Sequence, residues 1–372
     1  MNTPQVVIYG ASGYTGKHVA WKLTEKGIPF IAAGRNKARL EQQLKAMPEL
    51  AGAQYEVVAV GHNEAELGKL FAGKAVICNM VGPYMQLGAP VVNAALAAGC
   101  HYLDCTGEQD WMLHLRREYA AAFAAKGLCL LPATAAMWTQ GMTLAELVLE
   151  TAGIDSLDIT YTLAGVPSVS STLSFMRMCC QSQYFLQNNA LVAWPPATGV
   201  NIAVPGIHKI MIATPWSGGG EAVWFQDDAR VRNCSTLVTF DNQALMGMVI
   251  ARMTEFNEKY QHLPQAEQEA VTNKWAMEIA PQGEPPREDF NIHRALLCAH
   301  GRGTLVSRSI AVWGATGYVM TGVITAATID TLLRGQQKAT GFVPAVHVVG
   351  TRHMLADLME GGVWGKPKNV ID

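Results

Sequence analysis

VVIYGASGYTGKHVA, residues 6–20, places three glycines between a short apolar run and a helical pattern. Gly10 permits a tight turn after a strand, Gly13 lets the backbone approach a pyrophosphate closely, and Gly16 lets the next helix pack on the strand. The first N–H groups of that helix then point at the phosphates. The alternative is a glycine turn without a ligand. The place of this segment between a strand and a helix favours a dinucleotide-binding loop, formed by Gly10, Ser12, Gly13, Tyr14, Thr15 and Gly16.

This loop opens a regular alternation of strand and helix patterns. Apolar runs stand at residues 6–9, 30–33, 55–60, 75–80, 102–105 and 128–131, with helical patterns between them. Such an alternation predicts right-handed βαβ units and a parallel sheet. Segments rich in Val, Ile and Thr farther along the chain predict a different sheet. The predicted fold class is α/β: a Rossmann-type doubly wound parallel sheet plus a second α+β domain with a mostly antiparallel sheet.

The end of the second strand indicates which dinucleotide is bound. NAD sites usually place an Asp or Glu there for the ribose 2′-hydroxyl, whereas this chain reads AGRNK, with Arg35 followed by Asn36. A planar guanidinium suits a 2′-phosphate because it gives two parallel hydrogen bonds. The alternative is that Arg35 is a solvated loop residue. We therefore predict NADP(H) as the cofactor, with Arg35 and Asn36 in its site.

The loop after the fourth strand is expected to line the ribose and nicotinamide, because ligands bind at the carboxyl ends of such strands. This loop supplies Asn79, Val81, Gly82 and Pro83. Tyr84 follows and is the first candidate for a catalytic proton donor. A packing role for Tyr84 is the equal alternative.

The segment after the fifth predicted strand carries further polar residues, reading DCTGE from Asp104 to Glu108. Asp104 and Glu108 suit acid/base chemistry, but structural and helix-capping roles are favoured. No neighbouring His or Lys is identifiable that would lower the pKa of Cys105, so this thiol is expected to pack or to line the cofactor. Thr106 is placed in the predicted cofactor site.

Four segments together resemble the saccharopine dehydrogenase-like oxidoreductases, in particular their short members, which include the trans-acting enoyl reductases. The segments read GASGYTG, AGRNKARLE, NMVGPYMQLGAPVVNAALAAGCHYLDCTGE and WGATGYVMTGVITAATIDTLL. The resemblance implies that the end of the chain returns to the first domain. Residues 1–135 completed by 315–372 would then bind the dinucleotide, and residues 136–314 would form a substrate and dimerisation domain. Family members often carry an Asp near the adenine where this chain has His62, which is therefore expected to border the adenine.

The middle of the chain is poor in charge. Between Leu131 and Arg230 the cationic residues are Arg177, Lys209 and Arg230, which argues against saccharopine or another amino dicarboxylate as substrate. Methionines and aromatic residues fill irregular apolar pockets well, although each of them singly is more often core. A hydrophobic substrate is therefore predicted, held among Trp138, Trp194, Trp216, Trp224, Met137, Met142, Met176, Met178 and Met211.

Two other features of this region leave their roles open. Residues 217–220 read SGGG and are expected to form either a flexible loop that closes over the cleft or a plain hairpin turn. His208 and Lys209 are adjacent and suit acid/base roles, though a structural role is favoured. A helix is expected over residues 241–260, with Asp241 as its N-cap.

Composition and motifs exclude several classes of function. The net charge of −2 offers no basic excess for nucleic acid, and no run of about 20 apolar residues is free of polar interruption. The eight cysteines lack metal-ligand spacing, so free thiols and no metal site are expected. The N-terminus lacks the pattern of a signal peptide, which predicts a cytoplasmic location. A homodimer is plausible because the middle domain offers apolar strands and helices.

These observations give one leading hypothesis with two alternatives. The leading one is an NADP(H)-dependent oxidoreductase that reduces an activated double bond in a small hydrophobic substrate. The resemblance to the enoyl reductases implies that this bond is the C=C of an enoyl or enone. The first alternative is a C=N or C=O reductase of the same family. The second is a catalytically inactive dinucleotide-binding protein that acts through interactions or associates with lipid.

Overall fold

The structure is a computed structural model, and it describes residues 4–285, 294–315 and 317–370. The described strands are β1 (Val6–Tyr9), β2 (Phe30–Gly34), β3 (Tyr55–Ala59), β4 (Val76–Asn79), β5 (His101–Asp104), β6 (Cys129–Leu131), β7 (Ser156–Leu163), β8 (Tyr184–Gln187), β9 (Ala190–Ala193), β10 (Val200–Ala203), β11 (Ile210–Ala213), β12 (Asn233–Phe240), β13 (Arg294–Arg302), β14 (Ser307–Ala315), β15 (Gly341–Phe342) and β16 (Lys368–Asn369). The described α-helices are α1 (Tyr14–Glu25), α2 (Lys37–Lys45), α3 (Glu64–Phe71), α4 (Tyr84–Leu87), α5 (Ala89–Ala98), α6 (Gln109–Ala125), α7 (Ala136–Leu149), α8 (Val169–Arg177), α9 (Glu221–Phe225), α10 (Gln243–Lys259), α11 (Gln265–Ile279), α12 (Gly317–Leu333), α13 (Ala345–Val349) and α14 (Thr351–Glu360). Short 3₁₀ turns occur at Pro48–Leu50, Met178–Cys180 and Trp216–Gly218.

The chain divides into two compact units. The first contains the residues up to Thr106, Trp111–Thr139 and Gly317–Gly361, and the second contains the rest. From the sequence, the first domain was expected to comprise residues 1–135 and 315–372. Of these, residues 1–3, 316, 371 and 372 lie outside the described part. The structure differs at the C-terminus, where the residues after Gly361 join the second unit. The reason is backbone pairing, because Val363 accepts a hydrogen bond from Ala315 N at 2.8 Å and β16 pairs with β14.

The first unit is built on a parallel sheet with the strand order β15-β6-β5-β4-β1-β2-β3. This order contains 6-5-4-1-2-3, the arrangement of a doubly wound dinucleotide-binding domain, so the predicted Rossmann-type sheet is confirmed. All residues of β1 and β4 are buried, as expected for central strands covered on both faces. The change in strand order between β1 and β4 creates the crevice in which such sheets bind ligands.

Helix α12 begins the part of the first unit that comes from far along the chain, Gly317–Gly361. It is apolar on nearly all sides and packs on α1, where a Cβ added at Gly322 would lie 2.7 Å from the carbonyl oxygen of His18. Thr325 Oγ1 also donates to the carbonyl of Thr134 at 3.0 Å. This contact ties α12 to the backbone that follows β6 within the first unit.

The second unit is built on a mixed sheet with the strand order β16-β14-β13-β7-β12-β8-β9. All described neighbouring pairs in it are antiparallel except β7 and β12, so the predicted mostly antiparallel sheet is confirmed. Buried and partly exposed residues alternate along β7 and β12, which shows that one face carries the core. A separate hairpin, β10 and β11, packs its Met211 near Leu296 and Cys298 of β13.

Two local expectations are corrected in the second unit. Helix α10 is capped by Asn242, whose side chain accepts a hydrogen bond from Leu245 N, and not by Asp241. Residues 217–220 form neither a flexible loop nor a hairpin turn. They lie buried in the 3₁₀ turn and at the start of α9, and Ser217 Oγ accepts a hydrogen bond from Gln109 N at 3.0 Å.

Candidate functional site

The glycine loop of the first unit is too tight for side chains at two of its three glycines. Gly10 has φ +91°, and a Cβ added there would lie 2.7 Å from Val81 Cγ2. A Cβ added at Gly16 would lie 2.4 Å from the carbonyl oxygen of Gly10. Gly13 differs, because the one close contact of an added Cβ is Gly10 O at 3.2 Å. Gly13 is exposed and forms the N-cap of α1, so its missing side chain leaves room for a ligand at the helix N-terminus.

The predicted hydroxyl-bearing residues of this loop lie around the same helix start. Ser12, Tyr14 and Thr15 are half-buried at the beginning of α1. The ring of Tyr14 packs edge-on against Tyr318 of α12, with 4.8 Å between the centroids. The loop therefore presents backbone N–H groups and short side chains to the crevice between β1 and β4. This arrangement fits the pyrophosphate of a dinucleotide.

Arg35 and Asn36 follow β2 and play different roles. Asn36 caps α2, because its Oδ1 accepts a hydrogen bond from Arg39 N at 3.0 Å. Arg35 is exposed, and its positive charge helps to lower the pKa of His62. The guanidinium of Arg35 thus lies near the carboxyl ends of β1 and β3. It is available there for a phosphate group on the ribose.

His62 occupies a fixed position after β3. Its Nδ1 lies 2.8 Å from Tyr9 Oη, and the two rings stack with 5.9 Å between their centroids. The His62 side chain also forms a hydrogen bond with the backbone of Leu87, and burial, followed by the charge of Arg35, lowers the pKa of His62. The imidazole is therefore neutral at pH 7 and ties the ends of β1, β3 and α4 together. Sequence reasoning missed Tyr9 and Leu87, because nothing in the local pattern pairs them with residue 62.

The loop from Asn79 to Pro83 is fixed by hydrogen bonds of the Asn79 side chain. This buried side chain accepts a hydrogen bond from Val81 N at 3.1 Å through its Oδ1. Its Nδ2 donates to Tyr102 Oη, also at 3.1 Å. Val81 and Gly82 remain half-buried at the carboxyl end of β4, whereas Pro83 is buried. The amide of Asn79 therefore shapes the loop, and its side chain does not face the crevice.

The buried carboxylate of Asp104 is connected to this loop through Tyr102, which bonds to both Asn79 and Asp104. Asp104 Oδ2 accepts hydrogen bonds from Tyr102 Oη at 2.9 Å and from Trp111 Nε1 at 2.8 Å. Asp104 Oδ1 accepts from the backbone N–H groups of Thr106 at 3.1 Å and of Ala133 at 3.0 Å. Burial raises the pKa of Asp104 to about 6, although all four donors act to lower it. The carboxylate therefore joins the ends of β5 and β6 to α6, as the favoured structural interpretation predicted.

Tyr84 lies at the start of α4 and is nearly buried, with 5% of its surface exposed. Its hydroxyl lies 2.9 Å from Cys105 Sγ and donates to the carbonyl of Asn79 at 3.3 Å. Burial, followed by the neighbouring Cys105 and Asp104, raises the pKa of Tyr84 well above its usual value, so the phenol keeps its proton at neutral pH. Cys105 is partly exposed, and Tyr84 and Cys105 form one polar pair at the strand ends.

Glu108 is a buried residue of the second unit and belongs to an ion-pair cluster. Its carboxylate accepts hydrogen bonds from Arg177 Nη1 at 3.1 Å and from Ser174 Oγ at 2.8 Å. Arg177 also pairs with Asp110 at 2.8 Å and with Glu269 at 3.2 Å. Arg177, one of the three cationic residues between Leu131 and Arg230, is therefore a buried structural residue.

The second unit contains a buried carboxylate that sequence reasoning did not single out. Glu221 Oε1 accepts a hydrogen bond from Tyr161 Oη at 2.6 Å, and Glu221 Oε2 accepts from Thr236 Oγ1 at 3.0 Å. Burial raises the pKa of Glu221 to about 7. Tyr161 and Thr236 stand on neighbouring strands, so Glu221 anchors α9 to the sheet.

The tryptophans and methionines of the middle region are divided among several places. Trp138 and Met142 are fully buried, and Trp194 lines a polar depression beside β8. Trp216, Met176 and Met178 line one cavity together. His208 and Lys209 lie exposed before β11. The structure thus gathers part of the predicted apolar set in one cavity of the second unit.

Neither a metal-ligand cluster nor a helix fit to span a membrane occurs in the part of the chain that the structure describes. No cluster of three His, Cys, Asp or Glu side chains suited to a metal ion occurs within residues 4–285, 294–315 and 317–370. Within the same ranges, none of the helices combines the length and the apolar character that a membrane span requires.

Comparison with protein families gives two matches. Residues 139–371 match a family of unknown function, DUF5938. Residues 6–128 match the saccharopine dehydrogenase NADP binding domain. The second match covers the glycine loop, Arg35, His62, Tyr84 and Asp104, and the predicted NADP(H) cofactor is thereby confirmed.

Curated relatives match about a third of the chain. A lipid droplet localized protein of Caenorhabditis elegans is 31% identical over 136 residues, which are 34% of this chain and 32% of that protein. A saccharopine dehydrogenase-like oxidoreductase of Rattus norvegicus is 30% identical over 138 residues, 33% of this chain and 32% of that protein. A trans-acting enoyl reductase of Mycobacterium ulcerans is 37% identical over 108 residues, 28% of this chain and 25% of that protein. The matched part spans about a third of the length of these relatives or less.

A solved structure resembles the whole fold. The apo saccharopine dehydrogenase (L-Glu forming) of Saccharomyces cerevisiae aligns with a TM-score of 0.59, covering 99% of this chain and 100% of that chain. The sequence identity is 13%, so this likeness describes the fold alone.

Proposed function

Because the chain belongs to the family of unknown function DUF5938 and carries a saccharopine dehydrogenase NADP binding domain, we propose that it is an NADP(H)-dependent oxidoreductase. The observation that carries the proposal is the glycine loop. Gly10 and Gly16 admit no side chain, whereas Gly13 leaves an exposed gap at the N-terminus of α1. This cradle fits a pyrophosphate. Arg35, exposed at the end of β2, would hold the 2′-phosphate.

The proposed reaction is the reduction of an activated double bond in a hydrophobic substrate, with the C=C of an enoyl or enone favoured. NADPH supplies the hydride when it is bound. The relative named a trans-acting enoyl reductase supports a C=C acceptor, and the charge-poor stretch from Leu131 to Arg230 supports an apolar substrate. Reduction of C=N or C=O is the alternative within the same class.

A reduction also needs a proton, and we propose the pair formed by Tyr84 and Cys105 as its source. Tyr84 keeps its proton because its pKa is raised, and its hydroxyl lies 2.9 Å from the partly exposed Cys105 Sγ. The pair can therefore hold a proton at the carboxyl ends of β4 and β5. A donor in such a position typically contributes about 10²-fold or more to the rate.

Steady-state assays with a panel of acceptors test the reaction. The oxidation of NADPH is followed by absorbance with hydrophobic enones, imines and ketones of matched chain length, and the enones are expected to be the best acceptors. Tyr84→Phe is expected to lower kcat about 10²-fold or more, with the Kd for NADPH unchanged. Tyr119→Phe, which removes a hydroxyl bonded to Asn93 on α5, is the control. An unchanged kcat in Tyr84→Phe would exclude Tyr84 from the reaction.

The same assays separate the remaining alternatives. If NADPH binds tightly but no acceptor of any class is reduced, the chain is a dinucleotide-binding protein without this activity. A preference for imines or ketones would replace the enone in the proposal. The homodimer and the cytoplasmic location stay predictions.

A further inference from the structure

An apolar cavity with one charged residue in its wall lies within the second unit. Its wall includes Phe175, Met178, Trp216, Val249, Arg252 and Met253. We infer that this cavity, called here the Trp216 cavity, binds an apolar chain that carries an anionic group. The inference rests on the proposed function and deepens it, because it names the class of substrate.

The wall of the Trp216 cavity is adaptable. Three methionines contribute to it, and the rings of Phe175 and Trp216 stack at one side with 3.7 Å between their centroids. As it stands, the cavity has about 10 Å³ of space, room for one water molecule. Methionine side chains rotate easily and fill irregular gaps, so they can move aside for an alkyl chain. The cavity is therefore suited to a flexible apolar ligand and not to a rigid polar one.

The backbone beside the cavity is held in an unfavourable conformation. Trp216 has φ +24° and Ser217 has φ +57°, values that L side chains rarely adopt, and Gly218 and Gly219 follow with φ +84° and +80°. Gln109 enforces this shape, because its N–H donates to Ser217 Oγ at 3.0 Å and its Nε2 donates to the carbonyl of Gly219 at 2.7 Å. Strain of this kind persists where the surrounding structure imposes it, and it is concentrated at binding sites. Here the strained turn fixes the ring of Trp216 in the cavity wall.

Arg252 gives the cavity its charge, and the neutral polar residues Gln183 and Thr214 also line it. Arg252 is the one charged residue among the described residues that line the cavity, and 40% of its side chain is exposed. Its guanidinium lies 4.9 Å from the centre of the Trp275 ring and pairs with Glu255 at 2.8 Å. An exposed ion pair with a neighbour on the same helix is weak, so a carboxylate or phosphate on the ligand can compete for Arg252. An apolar chain in the cavity would place such a group within reach of this residue.

Binding of cis-parinaric acid to the full-length protein without NADPH tests the inference. This polyene carboxylate fluoresces in apolar surroundings, and its methyl ester is the uncharged comparison. We expect saturable binding of the acid, and binding of the ester that is weaker by about fivefold to tenfold, as for the loss of one charge-assisted hydrogen bond. Arg252→Gln is expected to lower the affinity for the acid to the affinity for the ester. Arg334→Gln, which breaks a similar pair with Asp330 on α12, is the matched control and should change nothing.

Two variants test whether the alkyl chain of the probe lies in the Trp216 cavity. Val249→Trp fills the cavity and is expected to weaken the binding of both probes by about tenfold or more. Met253→Ala enlarges the cavity and is expected to leave the affinity equal or higher. If Val249→Trp does not fold, Met253→Ala and Arg252→Gln still decide. Equal affinity for acid and ester in the unmodified protein, or binding that Arg252→Gln and Arg334→Gln change alike, would overturn the inference. NADPH titration of the same variants distinguishes this failure from failure of the cofactor site.

Discussion

Replacing Asp104 with alanine is expected to lower the free energy of unfolding by about 3–5 kcal/mol. The Asp104 carboxylate accepts hydrogen bonds from four buried donors, which are Tyr102 Oη, Trp111 Nε1 and the N–H groups of Thr106 and Ala133. Alanine would leave these donors without an acceptor in a site from which water is excluded. Each buried donor left unsatisfied costs about 1–3 kcal/mol, and partial relaxation reduces the sum.

Chemical denaturation of the variant and of a surface control measures this effect. The control is Asp357→Ala, which breaks an ion pair with Lys26 of 3.0 Å whose side chains are 27% and 31% exposed. It is expected to cost less than about 1 kcal/mol. A loss of stability in Asp104→Ala no greater than in Asp357→Ala would contradict the assigned role of Asp104.

The same carboxyl group is expected to make stability depend on pH. Its pKa in the folded protein is about 6, above the ordinary value of 3.8, so the folded state binds the proton more tightly than the unfolded state. The free energy of unfolding therefore falls as the pH rises from about 4 to about 6, by roughly 2–3 kcal/mol from this group. Asp104→Asn should remove that part of the slope. Glu221, with a pKa of about 7, contributes a slope of the same sign that remains in the variant.

Replacing Gly13 with alanine is expected to weaken NADPH binding by about tenfold or more while the protein stays folded. An added Cβ has Gly10 O at 3.2 Å as its close contact within the protein, so its main effect is to fill the gap at the N-terminus of α1. The free energy of unfolding is expected to change by less than about 1 kcal/mol. Gly16→Ala differs, because its Cβ would lie 2.4 Å from Gly10 O and would damage folding as well as binding.

Titration with NADPH and thermal unfolding of each variant separate the two effects. Gly68→Ala is the matched control, because Gly68 lies in α3 and nothing stands within 4 Å of an added Cβ. This control should bind NADPH normally. If Gly13→Ala binds NADPH as tightly as Gly68→Ala does, the pyrophosphate does not approach the backbone at Gly13.

The fold was predictable where it depends on neighbours in sequence. The glycine loop, the strand before it and the helix after it lie within 20 residues, so their spacing alone predicts their geometry. The alternation of apolar runs likewise predicts the parallel sheet. The return of α12 onto α1 was expected from the family resemblance. The joining of the last described residues to the second sheet was not, because β16 is a two-residue strand with no pattern of its own.

The site was less predictable, since its polar contacts join residues far apart in sequence. His62 bonds to Tyr9, 53 residues earlier, and Glu108 bonds to Arg177, 69 residues later. Neither pairing leaves a local signal. Asp104 stands out at a strand end, yet its partners Trp111 and Ala133 are identified only once α6 and β6 are placed. Trp216 was singled out by its residue type, but its strained backbone could not be anticipated.

Titration of the unmodified protein and of Arg35→Ala with NADPH and NADH, followed by tryptophan fluorescence, tests the central claim most directly. The account predicts that NADPH binds more tightly than NADH in the unmodified protein. It also predicts that Arg35→Ala weakens the binding of NADPH by about tenfold or more and changes the binding of NADH little, because the proposed partner of the guanidinium is the 2′-phosphate, which NADH lacks. Equal affinity for the two nucleotides, or an equal loss of both in Arg35→Ala, would contradict the assignment of Arg35. If neither nucleotide binds, the account as a whole is contradicted.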